Sequence, residues 1–96
     1  MTAYIVAQID LHDEETYAKY TAQTPATVAD HGGRFVVRGG RWESLEGDEP
    51  GPRIVLIEFP SFEQAQGWYN SEAYQAILPL RQAASSGSVF LVDDAD

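Results

Sequence analysis

The segment Arg53–Phe59 reads Arg-Ile-Val-Leu-Ile-Glu-Phe and is apolar on both faces apart from Glu58. It lies between the turn sequence Gly47-Asp48-Glu49-Pro50-Gly51-Pro52 and the helix start Pro60-Ser61. A strand that is apolar on both faces needs cover on both faces. The chain holds enough helical sequence for one covering layer. The second cover is most simply another copy of the same chain, so a homodimer is expected.

Ala3–Leu11 alternates and is rich in β formers, which predicts a first strand. Tyr4, Val6, Gln8 and Asp10 fall on one side of it, and Ala3, Ile5, Ala7, Ile9 and Leu11 on the other. Asp13 suits a helix N-cap, with Glu14 and Glu15 in the first turn where the helix dipole favours acids. Thr24-Pro25 reads as a fresh cap followed by proline, so this helix should kink or restart there, and Gly32-Gly33 should end it. Arg34–Arg38 is the second strand, with Phe35 and Val37 on one face and Arg34, Val36 and Arg38 on the other. Gly39-Gly40 suits a bulge, after which Arg41–Leu45 can continue the strand. Ser61 with Gln64 forms a capping-box pattern opening a helix whose face carries Phe62, Ala65, Trp68 and Tyr69. Ser71 caps a further segment that Pro79 should end, Leu80–Ser85 forms another short helical piece, and Ser88–Val92 is the last strand.

The order βαββαβ, with right-handed crossovers, gives an antiparallel four-stranded sheet ordered 4-1-3-2 with its helices on one side. This is an α+β, ferredoxin-like arrangement. It puts the doubly apolar strand in the centre of the sheet. The 96 residues make one domain, with the acidic tail 93–96 expected to fray. A domain this small buries only roughly 60–65% of its unfolded surface, another reason to expect an interface between copies.

Composition narrows the function. Fifteen acids against six bases leave a net charge of −9, which argues against nucleic acid and anionic membranes as partners. The acids gather at Asp13–Glu15, Glu46–Glu49 and Asp93–Asp96, in turns and ends, where they read as solvated surface. No cysteine is present, so disulfides, thiolate metal sites and a cysteine nucleophile are excluded. No apolar run approaches the ~18 residues of a membrane span, and Met-Thr-Ala-Tyr lacks the features of a signal peptide. A cytoplasmic protein is expected.

Several stretches resemble one family in combination. They are Gly32-Gly33-Arg34-Phe35-Val36-Val37-Arg38-Gly39-Gly40, Glu46-Gly47-Asp48, Ile57-Glu58-Phe59-Pro60-Ser61 and Trp68-Tyr69-Asn70-Ser71-Glu72-Ala73-Tyr74, with Arg81 following. The chain resembles, over nearly its whole length, the domain-of-unknown-function family numbered thirteen-thirty. The resemblance implies a dimeric α+β barrel, in which two ferredoxin-like sheets pack face to face and enclose cavities. It also implies a superfamily that includes cofactor-independent monooxygenases, isomerases, polyketide cyclases and haem enzymes. The family itself carries no agreed reaction.

The chemistry-bearing residues are few. No phosphate loop, nucleophile elbow or dinucleotide fingerprint is present. His12 and His31 are too few and too far apart for a metal motif, so no metal and no cofactor are expected. His31 sits where a helix C-terminus favours a cation; its functional reading is a general base at a cavity rim. Arg34, Arg38 and Glu58 interrupt apolar strands, and the ordinary reading is a buried ion pair of Glu58 with one arginine. In the functional reading Arg38 or Arg34 binds a substrate carboxylate or enolate while Glu58 orients it. Tyr17, Tyr20, Trp42, Trp68 and Tyr74 read first as core, but such side chains also line cavities well, and Arg81 can fix a carbonyl or an acid. His31, Arg38 and Glu58 are therefore the catalytic candidates. Arg34, Tyr17, Tyr20, Trp42, Trp68 and Arg81 are the ligand-binding candidates. The expected protein is a dimer that binds a small carbonyl or aromatic compound, as a cofactor-independent enzyme of proton transfer, cyclisation or oxygenation. A binding or sensing module without turnover and a purely structural dimer are the rivals. The ligand is expected between sheet and helices, or between the open sheet face and the partner with its mouth near the first helix.

Overall fold

The computed structural model describes residues 2–94. Its strands are β1 (Ala3–Leu11), β2 (Arg34–Arg38), β3 (Arg53–Phe59) and β4 (Ser85–Asp93). Its helices are α1 (Glu14–Thr21), α2 (Thr24–Asp30), α3 (Phe62–Tyr69) and α4 (Glu72–Ala84). The sheet runs β2-β3-β1-β4 with every neighbouring pair antiparallel. That is the expected order, with β3 and β1 in the centre. No helix of the described residues is long and apolar enough to cross a membrane.

Local chemistry starts and stops these elements. The Asp13 carboxylate accepts hydrogen bonds from the Thr16 amide and hydroxyl. Those bonds, the hydroxyl's first, hold its pKa below the ordinary aspartate value. Ser61 and Ser71 cap α3 and α4 by accepting from Gln64 and Tyr74 amides. Pro25 occupies the first turn of α2, where its missing N–H costs nothing. Pro79 does not end its helix: α4 runs through it to Ala84. Both Pro79 and Gln75, whose carbonyl loses its helical donor, are exposed, so water can serve the freed group.

The sheet shows three further departures from the sequence pattern. β4 begins at Ser85 and not Ser88, because Leu11 pairs with Ser85 as α4 ends. Arg41–Leu45 does not extend β2; the whole stretch from Gly39 to Pro52 is irregular, and Leu45 is 84% exposed. The bulge sits earlier than Gly39-Gly40. Phe35 pairs with Ile57 and Val37 with Leu56, so Val36 is the extra residue. At the other end, Asp93 lies within β4 and the Asp94 amide donates to the Thr2 carbonyl; residues 95–96 of the expected frayed tail lie outside the described residues.

The helices cover one sheet face. Ala3, Ile5, Ala7 and Ile9 of β1 and Val55, Ile57 and Phe59 of β3 are buried beneath them. The opposite face carries Tyr4, Val6, Ile54 and Leu56, half-buried, with Val37, Phe90 and Val92 exposed. Glu58 and Arg34 lie on this open face as neighbours in register, 3.0 Å apart. Glu58 is therefore not the buried carboxylate expected: in the single chain it is 28% exposed and its partner 69%.

Phe59 is fully buried and packs on Trp68 with ring centroids 5.5 Å apart. Its ring also fills the space where a side chain at Gly33 would lie. Gly33→Ala should therefore destabilise by about 1–3 kcal/mol through overpacking. Urea unfolding of Gly33→Ala, Phe59→Leu and the double variant should show less than the sum of the single losses. Strict additivity would show that the two positions do not share this space.

Candidate functional site

The first helix owes its position to α4 more than to the sheet. It packs mainly along α4, through the buried Tyr20 and Tyr74, whose hydroxyls share a 2.8 Å hydrogen bond. Their rings meet edge to face at 6.1 Å, Tyr17 lies 5.5 Å from Tyr20, and Trp68 lies 4.1 Å from Tyr74. Between α1 and the sheet a cavity remains. Ile5, Ala7, Ile9, Val55 and Ile57 form its floor, Tyr17, Tyr20 and Thr24 its roof, and Trp68, Tyr74 and Arg81 an end. Phe35, Arg38 and Arg53 line it from β2 and β3. About 40 Å³ is open to the centres of water molecules. One water needs roughly 10–15 Å³ by that measure, so the space suits a few waters or part of a small molecule.

A hydrogen-bonded thread holds the roof. Trp68 Nε1 donates to Thr27 Oγ1 at 3.0 Å, Thr27 Oγ1 to the Thr24 carbonyl at 2.8 Å, and Thr24 Oγ1 to the Tyr20 carbonyl at 2.6 Å. These bonds satisfy buried polar groups, which would otherwise be costly. Burial, and next the neighbouring Tyr74, push the Tyr20 phenol well above the ordinary tyrosine range. Tyr20 therefore stays neutral and can donate a proton in a hydrogen bond; it is a poor base. Burial opposes the Arg81 cation, but the neighbouring Tyr74, Tyr20 and Tyr69 together offset this, and its pKa is raised.

Charge is distributed unevenly. Of the six lysines and arginines in the chain, Arg38, Arg53 and Arg81 line this one cavity. Among the described residues the single ion pair is Arg34–Glu58, so none of the three has a carboxylate within 4.0 Å. The Arg38 guanidinium lies 4.4 Å from the Phe35 ring centre and that of Arg53 lies 5.6 Å from that of Tyr17. Nε of Arg53 and Nε of Arg81 are buried without a hydrogen-bond partner.

The structure thus brings together Arg38, Tyr17, Tyr20, Trp68 and Arg81 from the sequence candidates. It places the others elsewhere. His31 caps the end of α2, with its Nδ1–H donating to the Thr27 carbonyl at 3.1 Å, and does not line the cavity. Arg34 and Glu58 are on the open face, and Arg38 does not join them because the bulge turns it to the helix side. Trp42 sits in the irregular stretch and donates to the Pro52 carbonyl at 2.8 Å. Arg53 was no candidate in the sequence, although it shares its alternation with Val55 and Ile57 and so with the covered face. Tyr74, one of the aromatics able to line a cavity but not one of the ligand-binding candidates, lines it too. No group of three or more His, Asp or Glu side chains among the described residues could hold a metal ion.

The model of a family described as a domain of unknown function (DUF1330) matches residues 2–95, in agreement with the motifs. No curated protein sequence matches the chain. Among solved structures, a protein of unknown function from Rhodopseudomonas palustris is similar with a TM-score of 0.79 at 19% identity, over 99% of this chain and 83% of that one. SnoaB, described as a cofactor-independent oxygenase from Streptomyces nogalater, has a TM-score of 0.67 at 12% identity, over 99% and 94%. A protein from Bacteroides fragilis, described as dimeric and of ferredoxin-like fold, has a TM-score of 0.53 at 11% identity, over 96% and 94%. At these identities the likeness is one of fold.

The raised pKa of Tyr20 makes an alkaline signature. Its contribution to stability is complete below the unfolded tyrosine pKa of about 10 and is lost as pH rises above it. Stability should then fall with pH, and Tyr20→Phe should reduce the loss between pH 9 and pH 11 by about 1.4 kcal/mol in total, the difference in slope growing as pH passes 10. Urea midpoints measured from pH 9 to pH 11 test this. Equal slopes for both proteins would show that Tyr20 ionises freely in the folded state.

Proposed function

We propose that this chain, which belongs to the DUF1330 family, binds a small carbonyl-bearing or aromatic molecule in the cavity between α1 and the sheet. The observation that carries this reading is the Tyr20–Tyr74 pair beside Arg81 in an aromatic-walled space with an apolar floor. A few convergent polar groups in an apolar hollow are the usual mark of a small-molecule site. The small volume limits the bound part of the ligand to about one ring or a short chain.

The catalytic form of this reading is cofactor-independent. Tyr20, held neutral by burial, donates to a carbonyl oxygen, and Arg81 stabilises negative charge developing there. His31 has no part in it, being outside the cavity. The resemblance in fold to an oxygenase described as cofactor-independent supports this form without specifying a reaction.

The test is a titration of Trp68 fluorescence in Trp42→Phe protein with small aromatic ketones and acids. Saturable quenching at micromolar to millimolar ligand is expected, weakened at least about fivefold by Tyr74→Phe through loss of a hydrogen bond. No saturation with any compound would leave the cavity as packing space and overturn the proposal.

The assembly that goes with this reading is a two-fold dimer through the open sheet face. Tyr4, Val6, Ile54, Leu56, Val37, Phe90 and Val92 form an apolar surface with no helix over it among the described residues. Light scattering should give twice the 10.6 kDa chain mass, and Leu56→Asp, at the centre of that face, should give the single-chain mass with unchanged secondary structure. A native protein of single-chain mass at micromolar concentration would overturn the dimer.

A further inference from the structure

The bulge in β2 has a chemical consequence on the covered face. With regular alternation from Phe35, Val37 would face the helices and Arg38 would lie beside Arg34 on the open side. The extra residue Val36 shifts the register, so Val37 pairs with Leu56 and Arg38 with Val55. Arg38 is thereby delivered to the helix side. Bulges re-aim side chains in this way, often beside binding sites. Arg53 lies two residues before Val55 on the same strand, and therefore on the same face. Diagonal neighbours on adjacent strands are about 7–8 Å apart at their backbones, so two long guanidinium side chains there can meet on one small anion.

Arg38 is exposed and Arg53 half-buried, and nothing among the described residues neutralises this pair. Neither arginine has a carboxylate within 4.0 Å among the described residues, and each guanidinium rests against an aromatic ring. Arg53 Nε is buried with no partner. Gly39, at φ +78°, passes so close to Arg53 that a side chain at Gly39 would overlap the guanidinium. The backbone is thus shaped around a cation that has no counterion. Bringing two like charges together costs stability, and a purely structural role would be met by neutral side chains. In a chain of net charge −9, placing two of six cations here is a local arrangement that opposes the overall field.

We propose that Arg38 and Arg53 clamp the carboxylate of a small organic acid whose apolar body enters the cavity. The proposal rests on the small-molecule reading above and adds the charge and orientation of the ligand. The acid group sits at the β2–β3 side, and the body points toward the tyrosine pair and Arg81.

Calorimetric titration of the native protein with benzoate, phenylpyruvate and their neutral amides tests it. The acids should bind at least about tenfold more tightly than the amides, as expected for charge-assisted hydrogen bonds. Arg38→Gln and Arg53→Gln should each remove most of that preference while amide binding stays within about twofold. Arg34→Gln, a matched charge loss on the open face, should leave the preference intact. Equal affinity for acids and amides in the native protein overturns the clamp and leaves the cavity reading standing, and no variant is needed to see it. Loss of the preference in Arg34→Gln to the same degree also overturns it. Inorganic phosphate displacing benzoate at lower concentration than unlabelled benzoate itself would reassign the clamp to phosphate and overturn the carboxylate assignment. Binding of neither acids nor amides overturns both readings.

Discussion

A four-stranded sheet has two faces, and about ninety residues supply helices for only one of them. β3 is central and apolar on both sides, so this shortage governs the molecule. Val55, Ile57 and Phe59 face the helices and are buried, while Ile54 and Leu56 face outward with only neighbouring strands for company. The covered face becomes the core and holds the cavity. The open face is left with apolar side chains that no helix of the described residues covers. The same constraint puts the Arg34–Glu58 pair on the open face, where solvent weakens it.

The cavity exists because the helix layer is braced internally. α1 is held against α4 by two tyrosines whose hydroxyls satisfy each other, and a thread of threonine and tryptophan hydrogen bonds ties α1, α2 and α3 together. Helices that lock to one another need not collapse fully onto the sheet. The small β1 side chain Ala7 adds room on the floor below. The price in packing is modest because the space is small, and the polar groups that edge it are those able to contact a ligand.

Electrostatics then separates two arginines that the sequence makes look equivalent. Arg34 and Arg38 are four residues apart in one strand, yet one is paired with a carboxylate on the open face and the other, exposed, lines the cavity with no carboxylate partner among the described residues. A single extra residue makes the difference. The result is an acidic chain in which half of the cations line one hollow with no counterion among the described residues.

Most of the fold was legible in the residues. Period-two alternation marked β1, a run apolar on both faces between a turn and a helix cap marked β3, and the crossover rule then ordered the sheet. Asp13, Ser61 and Ser71 announced their helices because capping is a local hydrogen bond between a side chain and the next turn. The tertiary structure decided what depends on partners distant in sequence. Pro79 stays inside a helix because its lost hydrogen bond falls on the solvent side, which only packing determines. The bulge lies at Val36 because the register of β2 is set against β3, more than fifteen residues along the chain, and the glycines that seemed to mark it serve the turn that follows. For the same reason alternation alone put Arg38 on the wrong face, and Arg53, at the end of a strand, did not stand out as part of a site. Residue types and spacing determine which elements form; which side chains share a cavity depends on long-range register and helix bracing, which no local pattern encodes.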